Sequence, residues 1–179
     1  YLEGDGMAWI TPSTPSADPT PMDPVALKLA LAQPVGDVAY LARPCQYVDA
    51  ERSGCNSRYW KQARFAEEVV AASDQAIEVL KRSHNAQRIT LVGFSGGAAV
   101  AALVAARRTD VDQLVTVAGN LDPHAWTQSK GLAPLSGSLS PVDYLEKLST
   151  IAQWHFAGAL DSVVPPSLTQ GFIDRFPSG

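Results

Sequence analysis

The sequence predicts an α/β fold in which a mostly parallel β-sheet is flanked by helices. Short apolar segments alternate along the chain with segments of helical periodicity. The run 89–94 is continuously apolar, as in a parallel strand covered on both faces, and a glycine-rich turn leads from it into the alanine-rich stretch 98–106. Such alternation joins parallel strands by right-handed crossovers and places ligand sites at the carboxyl ends of the strands.

Size and charge limit the classes of protein to consider. The chain has 179 residues, of which 46% are hydrophobic and 18% charged, and this predicts one globular domain over 1–179. A formal net charge of −4 argues against a nucleic-acid-binding surface. No apolar run approaches the roughly 20 residues of a membrane span. The oligomeric state stays open.

The elements of the first half follow from local patterns. Prolines exclude regular helix over 11–24, and apolar residues at helical spacing predict a long helix further on. In order, we expect the end of a strand at Tyr1–Leu2, a tight turn at Glu3–Gly6, an irregular loop over 11–24, a short helix over 24–32 capped by Asp23, a strand over 38–42 and a helix over 58–82.

The second half alternates more regularly. Its predicted elements are strands at 89–94, 113–118 and 151–157, helices at 98–108 and 142–148, an irregular segment over 119–141, and a last helix from Pro165 or Pro166 through Phe172 and Arg175. Three polar features therefore follow strands: the Gly4–Gly6 turn, Ser95 and Asp161.

The turn between the central strand and its helix carries a catalytic pattern. Gly93-Phe94-Ser95-Gly96-Gly97 fits G-x-S-x-G, in which a serine hydroxyl stands exposed at a strained strand-to-helix corner. The following helix directs its N-terminal N–H groups at that corner. No Gly-Lys-Ser/Thr follows and the G-x-G-x-x-G spacing is absent, so we expect no nucleotide cofactor. A purely structural turn is the alternative.

Together with Gly158-Ala159-Leu160-Asp161-Ser162-Val163-Val164-Pro165, this pentapeptide resembles the α/β-hydrolase superfamily, in particular its esterase-like and lipase-like serine hydrolases. The resemblance covers about 1–177 and implies that Ser95 is the nucleophile and Asp161 the acid of a catalytic triad. It also implies that the N–H of Gly96 is one oxyanion donor. The second donor would be the N–H of Asp5, with Gly6 as the alternative.

The resemblance fails at the catalytic histidine. In the superfamily this histidine follows the acid, but none follows Asp161. We expect His84 to be solvated at a helix end, His155 to lie on the sheet, and His124 to lie near the mouth of the site. The simplest expectation is a chain incomplete at both ends, without the first strands and without the last strand that carries the histidine. Such a chain exposes unpaired strand groups and apolar surface.

The segment 119–148 occupies the position of the superfamily's substrate-selecting cap, so the resemblance implies a cap-like insertion there. His124 and Trp126 in this segment, and Trp9 near the oxyanion turn, are candidate substrate contacts. Ordinary loop packing is the alternative for each of these three residues.

The two cysteines, Cys45 and Cys55, lie ten residues apart in a loop-like segment. They form either a disulfide or two free thiols, and we predict the disulfide. A disulfide favours an extracytoplasmic location, periplasmic or secreted, because disulfides persist in oxidising compartments. No C-x-x-C motif or cluster of histidine and cysteine indicates a metal site.

The function expected from these observations is a serine hydrolase that cleaves an ester or related acyl bond of a small molecule, without a cofactor. A catalytically inactive binding or scaffold protein on the same fold is the alternative, supported by the missing histidine. An anion-binding protein using the helix that begins at Gly96 is a third hypothesis.

Overall fold

The computed structural model describes residues 1–11 and 13–177; Pro12 of the proline-rich loop, Ser178 and Gly179 lie outside the described residues. The strands are β1 (Trp9–Thr11), β2 (Thr14–Pro15), β3 (Ile89–Phe94), β4 (Val111–Val117) and β5 (Ala152–Phe156). The helices are α1 (Val25–Ala32), α2 (Glu67–Ser83), α3 (Gly96–Ala105), α4 (Pro123–Lys130), α5 (Leu145–Leu148) and α6 (Pro166–Ile173). Short 3₁₀ helices cover Ser57–Trp60 and Pro141–Tyr144.

The main sheet is parallel and has the order β3-β4-β5. Leu2 extends it, since it forms parallel bridges to Gly93 on one side and to Leu41 on the other. The segment expected to be the end of a strand therefore lies inside the sheet. The α/β architecture with a mostly parallel sheet flanked by helices is confirmed.

The centre of the core is α3, which is buried along its whole length. It consists of glycine, alanine, valine and leucine, and a helix that is apolar on all sides is stable only when packed on all sides. It packs against β3, β4 and α2. The small side chains at its N-terminal end allow the backbones of neighbouring segments to come close, and this sets the shape of the site.

The predicted helix over 58–82 is wrong in its first part, because α2 begins only at Glu67. Tertiary hydrogen bonds occupy the backbone just before it: the Phe65 N–H donates to Ser138 Oγ (3.1 Å), and the Phe65 carbonyl accepts from Leu139 N–H (2.9 Å). The chain before α2 therefore packs against a distant segment instead of forming helical turns.

The predicted strand over 38–42 is also wrong, since only Leu41 pairs there. The chain leaves the sheet after Leu41, where Arg43 turns inward to bind Asp5 and Cys45 adopts a positive φ of 72°. In the segment expected to be irregular over 119–141, the structure contains α4. Asp122 caps α4 by accepting a hydrogen bond from Ala125 N–H (2.9 Å).

Smaller differences occur near the chain start. Strands β1 and β2 pair antiparallel at the start of the proline-rich loop. Asp23 does not cap α1, whose N-cap is Pro24; it pairs instead with Lys28.

Strand β5 lies at the edge of the described sheet and exposes Trp154 and Phe156 to solvent. None of the helices in the described ranges combines the length and apolar character that crossing a membrane requires.

Candidate active site

Ser95 occupies the corner between β3 and α3 with φ 51° and ψ −120°, a conformation that a residue with a side chain rarely adopts. Its N–H donates to the Val117 carbonyl (2.9 Å), and its carbonyl accepts from Ala98 N–H and Asn120 N–H (3.1 Å each). These three bonds tie the corner to β4, to α3 and to the segment after β4. The strained conformation is thus held by the neighbouring elements.

Two glycines make this corner possible. A Cβ at Gly93 would lie 2.4 Å from the Ala98 Cα, and a Cβ at Gly97 would lie 2.3 Å from the Glu3 carbonyl oxygen. Real Cβ atoms do not approach backbone atoms so closely. The pattern G-x-S-x-G is therefore required by the backbone packing at this position.

Ser95 opens into a cavity of about 600 Å³ at the carboxyl end of the sheet. Most of the lining is apolar, and the turn after Leu2 forms one wall. Of the residues predicted to form the site, the cavity brings together Ser95, Asp5, Gly6, Trp9 and Trp126. His124 is not among the lining residues and lies exposed on the first turn of α4.

The Asp5 side chain binds two arginines. Its carboxylate accepts hydrogen bonds from Arg43 Nη1 (3.0 Å) and from Arg64 Nη1 (2.7 Å). Burial alone would raise the pKa of Asp5, but the charges and hydrogen bonds of Arg64 and Arg43 hold it below its ordinary value. Burial in turn lowers the pKa of Arg43. Asp5 is therefore an ionised carboxylate in a closed ion-pair cluster.

The same carboxylate packs directly against α3. A Cβ at Gly96 would lie 2.1 Å from Asp5 Oδ1, so only glycine fits beside it. Within the described residues, the N–H groups of Asp5 and Gly96 have no acceptor. For Gly96 the reason is its place in the first turn of a helix, whose N–H groups lack intrahelical partners. Two residues in direct contact, Asp5 and Gly96, thus each have an N–H without an acceptor in this part of the chain.

The turn that carries Asp5 is held by two hydrogen bonds and by a close approach to the backbone at Pro19. Gly4 N–H donates to Glu3 Oε1 (2.9 Å), and the Gly4 carbonyl accepts from Gln46 Nε2 (2.9 Å). Gly6 has φ 62°, and a Cβ there would lie 2.0 Å from the Pro19 carbonyl oxygen. The turn is therefore rigid, and its shape requires glycine at position 6.

Asp161 follows β5 in a tight turn. Its Oδ1 accepts hydrogen bonds from the N–H groups of Val163 (2.8 Å) and Val164 (3.0 Å), which leaves the second carboxylate oxygen without a partner in the described part of the chain. Val163 and Val164 line the cavity, whereas Asp161 itself does not. Trp126 Nε1 donates to the Val163 carbonyl (2.8 Å), so α4 is bound to this turn.

None of the three histidines, all of which are described, lines the cavity. His84 is the exposed C-cap of α2, as expected. His155 lies in β5, where Nδ1 is 2.8 Å from Thr116 Oγ1 and the ring makes an edge contact with Phe172. Burial lowers the pKa of His155, which favours the neutral ring.

The predicted disulfide is confirmed: Cys45 and Cys55 are bonded, with their Cα atoms 5.9 Å apart. The bond closes the loop that follows Arg43. Within residues 1–11 and 13–177, no group of three or more histidine, cysteine or carboxylate side chains is arranged to hold a metal ion.

The model of the family described as Serine hydrolase (FSH1) matches residues 32–179, well over half of the chain. The chain belongs to this family. Comparison with curated proteins and with solved structures returned no match. The match to the FSH1 serine hydrolase family includes Ser95 and Asp161, whereas Asp5, Gly6 and Trp9 precede it. The expected resemblance to serine hydrolases is thus confirmed.

Three residues of the candidate site escaped the sequence analysis. Arg43 and Arg64 hold Asp5, but in the sequence Arg43 only follows a predicted strand and Arg64 lies within a predicted helix. Asn120 is buried beside Ser95, lines the cavity, and its Oδ1 has no hydrogen-bond partner within the described ranges. Arginine or asparagine in such segments has no distinctive spacing, so only the tertiary contacts reveal them.

Proposed function

We propose that this FSH1-family chain cleaves an ester or related acyl bond of a small molecule through an acyl-enzyme on Ser95. The observation that carries the proposal is the strained Ser95 corner, which opens into a largely apolar cavity. Beside it, Asp5 and Gly96 have N–H groups without an acceptor in the described residues. Such a corner presents the serine hydroxyl to a bound carbonyl, and unpaired N–H groups favour negative charge developing there.

In the proposed reaction, Ser95 Oγ attacks the acyl carbon and passes its proton to a base. The carbonyl oxygen becomes an oxyanion that accepts hydrogen bonds from the N–H groups of Gly96 and Asp5, with Gly6 as the alternative donor. The bond to the leaving alkoxide then breaks, and the alkoxide takes the proton. Water attacks the resulting ester of Ser95, releases the acid and restores the hydroxyl.

Asp161 is proposed to orient the base. Its Oδ1 is held by two backbone N–H groups, so its second oxygen has a defined direction in which to accept a hydrogen bond. No histidine lines the cavity, and the proposal assigns the base to none of the three described histidines. The segment 119–148 is proposed to act as a cap that contacts the substrate through Trp126. Trp9, which lies near the start of the chain and also lines the cavity, is proposed as a second aromatic contact.

The test is covalent labelling with a fluorophosphonate, in which the Ser95 Oγ–P bond forms and fluoride leaves. Intact mass and peptide mapping report the extent and site of labelling, with and without imidazole as an external base. We expect one adduct on Ser95, faster formation with imidazole, and no adduct in S95A. S129A, which removes an exposed serine of α4, should be labelled like the natural chain. Equal labelling of S95A would refute the proposal.

A second candidate is a catalytically inactive binding protein on the hydrolase fold. The specific observation in its favour is the absence of histidine from the cavity lining. It predicts that Ser95 stays unlabelled even at high imidazole concentration, while small esters still perturb the fluorescence of Trp9 and Trp126. The same experiment therefore separates the two functions.

The disulfide also supports a proposal about location. Because disulfides persist in oxidising compartments, the Cys45–Cys55 bond favours a periplasmic or secreted protein. Determining the thiol content of freshly isolated natural protein tests this: two free thiols would argue for a reducing compartment.

A further inference from the structure

Arg43 and Arg64 share the Asp5 carboxylate between them. Arg64 also lines the cavity into which Ser95 opens, whereas Arg43 does not. The three side chains are mostly buried: Arg43 is 6% exposed, Arg64 7% and Asp5 16%. Each oxygen of the carboxylate accepts from a different guanidinium. The Asp5 side chain therefore cannot rotate without breaking an ion pair in a low-dielectric environment.

Each arginine is itself anchored. Arg43 Nη2 donates to the Arg64 carbonyl, and its guanidinium lies 5.5 Å from the centre of the Phe65 ring. Arg64 Nε donates to the Lys61 carbonyl (2.9 Å), and its guanidinium lies 5.8 Å from the centre of the Trp126 ring. The cluster is thus fixed to the chain before α2 and to α4.

Fixing the Asp5 carboxylate also fixes the Asp5 backbone relative to Gly96. The carboxylate occupies the space that a Cβ of Gly96 would need, so the two residues are in direct contact. Both have an N–H without an acceptor in the described residues. The separation between these two donors therefore depends on the position of the carboxylate as well as on the hydrogen bonds that hold the turn.

We propose that Arg43 and Arg64 are positioning residues that hold the Asp5 N–H at the distance from the Gly96 N–H that an oxyanion on Ser95 requires. This inference rests on the proposed function, because it assigns the arginines a role only if these donors act on a Ser95 adduct. Donors fixed in advance stabilise a developing charge more than donors that must first reorient. Neither arginine touches the substrate's reacting atoms in this proposal.

The experiment measures fluorophosphonate labelling of Ser95 at increasing reagent concentration, which separates the maximal rate constant from the apparent binding constant. The variants are R43M, R64M and R64K, the last of which keeps the positive charge. R108M is the matched control. Arg108 is a mostly buried arginine that pairs with Asp74, Glu78 and Asp110 at the far end of α3.

We expect R43M and R64M to lower the maximal labelling rate by about tenfold or more, because misplaced oxyanion donors lose their effect on the barrier. The apparent binding constant should stay within about twofold, and R64K should lie between R64M and the natural chain. R108M should lose stability yet label at the natural rate. Thermal unfolding of each variant shows that labelling is measured on folded protein.

Amide NMR of the labelled protein gives a second readout that does not depend on rate. In the natural chain the adduct should shift the amide protons of both Asp5 and Gly96 downfield. In R64K the shift at Asp5 should shrink while that at Gly96 remains.

Labelling of R43M and R64M at the natural rate, with the Asp5 shift retained in R64K, would overturn this inference and leave the proposed function standing. If the natural chain itself is not labelled at Ser95, both fail. The two failures are thereby distinguishable.

Discussion

Replacing Asp5 by asparagine removes the carboxylate that pairs with two buried guanidiniums, and the described residues supply neither arginine with another carboxylate partner. The N–O distances are 3.0 Å to Arg43 and 2.7 Å to Arg64, and both arginine side chains are less than one-tenth exposed. Asparagine has nearly the same shape and keeps one acceptor oxygen, so the change is mainly electrostatic. Leaving a buried charge unpaired costs roughly 3–5 kcal/mol, and we expect D5N to lose about that much unfolding free energy at pH 7.

The assay is urea unfolding monitored by tryptophan fluorescence. The comparison requires that the unfolding free energy of both proteins depend on urea concentration with the same slope. The matched control is D112N, which removes the partner of Arg88 in a pair whose side chains are about half exposed. Exposed pairs contribute little, so D112N should cost less than about 1 kcal/mol.

The pH dependence provides an independent check on D5N. The pKa of Asp5 is lowered in the folded state, so its contribution is complete above the unfolded pKa of about 3.9 and is lost as the pH falls towards the folded pKa. The difference between the natural chain and D5N should therefore be constant from about pH 5 to 8 and shrink as the pH falls below about 4. A D5N cost below about 1 kcal/mol at pH 7, or one that does not change in acid, would refute the reasoning.

Three further predictions concern packing, a partly buried histidine and the disulfide. G97A should cost about 1–3 kcal/mol in urea unfolding, because its Cβ would meet backbone oxygens at 2.3 and 2.5 Å; G171A in α6, where nothing lies within 4 Å, should be neutral or stabilising. Burial lowers the folded pKa of His155, so the natural chain should lose stability below about pH 6.5, whereas H155N should not. An equal change in the unfolding temperature of the two proteins between about pH 7.5 and 5.5 would contradict this. Reducing and alkylating Cys45–Cys55 should cost about 3 kcal/mol, and an unchanged urea midpoint would show that the short loop stays ordered without the bond.

Much of the fold could be predicted because the relevant signals are local. The strand 89–94 has the predicted bounds, and the strands near 113–118 and 151–157 differ by one or two residues at their ends. The continuous apolar run and the glycine turn at Ser95 are properties of neighbouring residues, and they survive in the tertiary structure because packing reinforces them. The chain before α2 behaves differently. Its residues have a helical pattern, but its backbone forms hydrogen bonds with Ser138 and Leu139, more than 70 residues away, instead of helical turns.

The sequence by itself determined that Ser95 lies at a strand-to-helix corner, because glycines at 93 and 97 and a small-residue helix leave few other conformations for that segment. It also indicated the family of serine hydrolases and the pairing of Cys45 with Cys55. Only the tertiary structure decided what surrounds the serine: the arginines that bind Asp5, the buried Asn120 beside the cavity, and the placement of all three histidines outside its lining. The physical reason is that ion pairs and cavity walls join residues tens of positions apart, and their energies depend on burial and distance, which no local pattern of residues encodes.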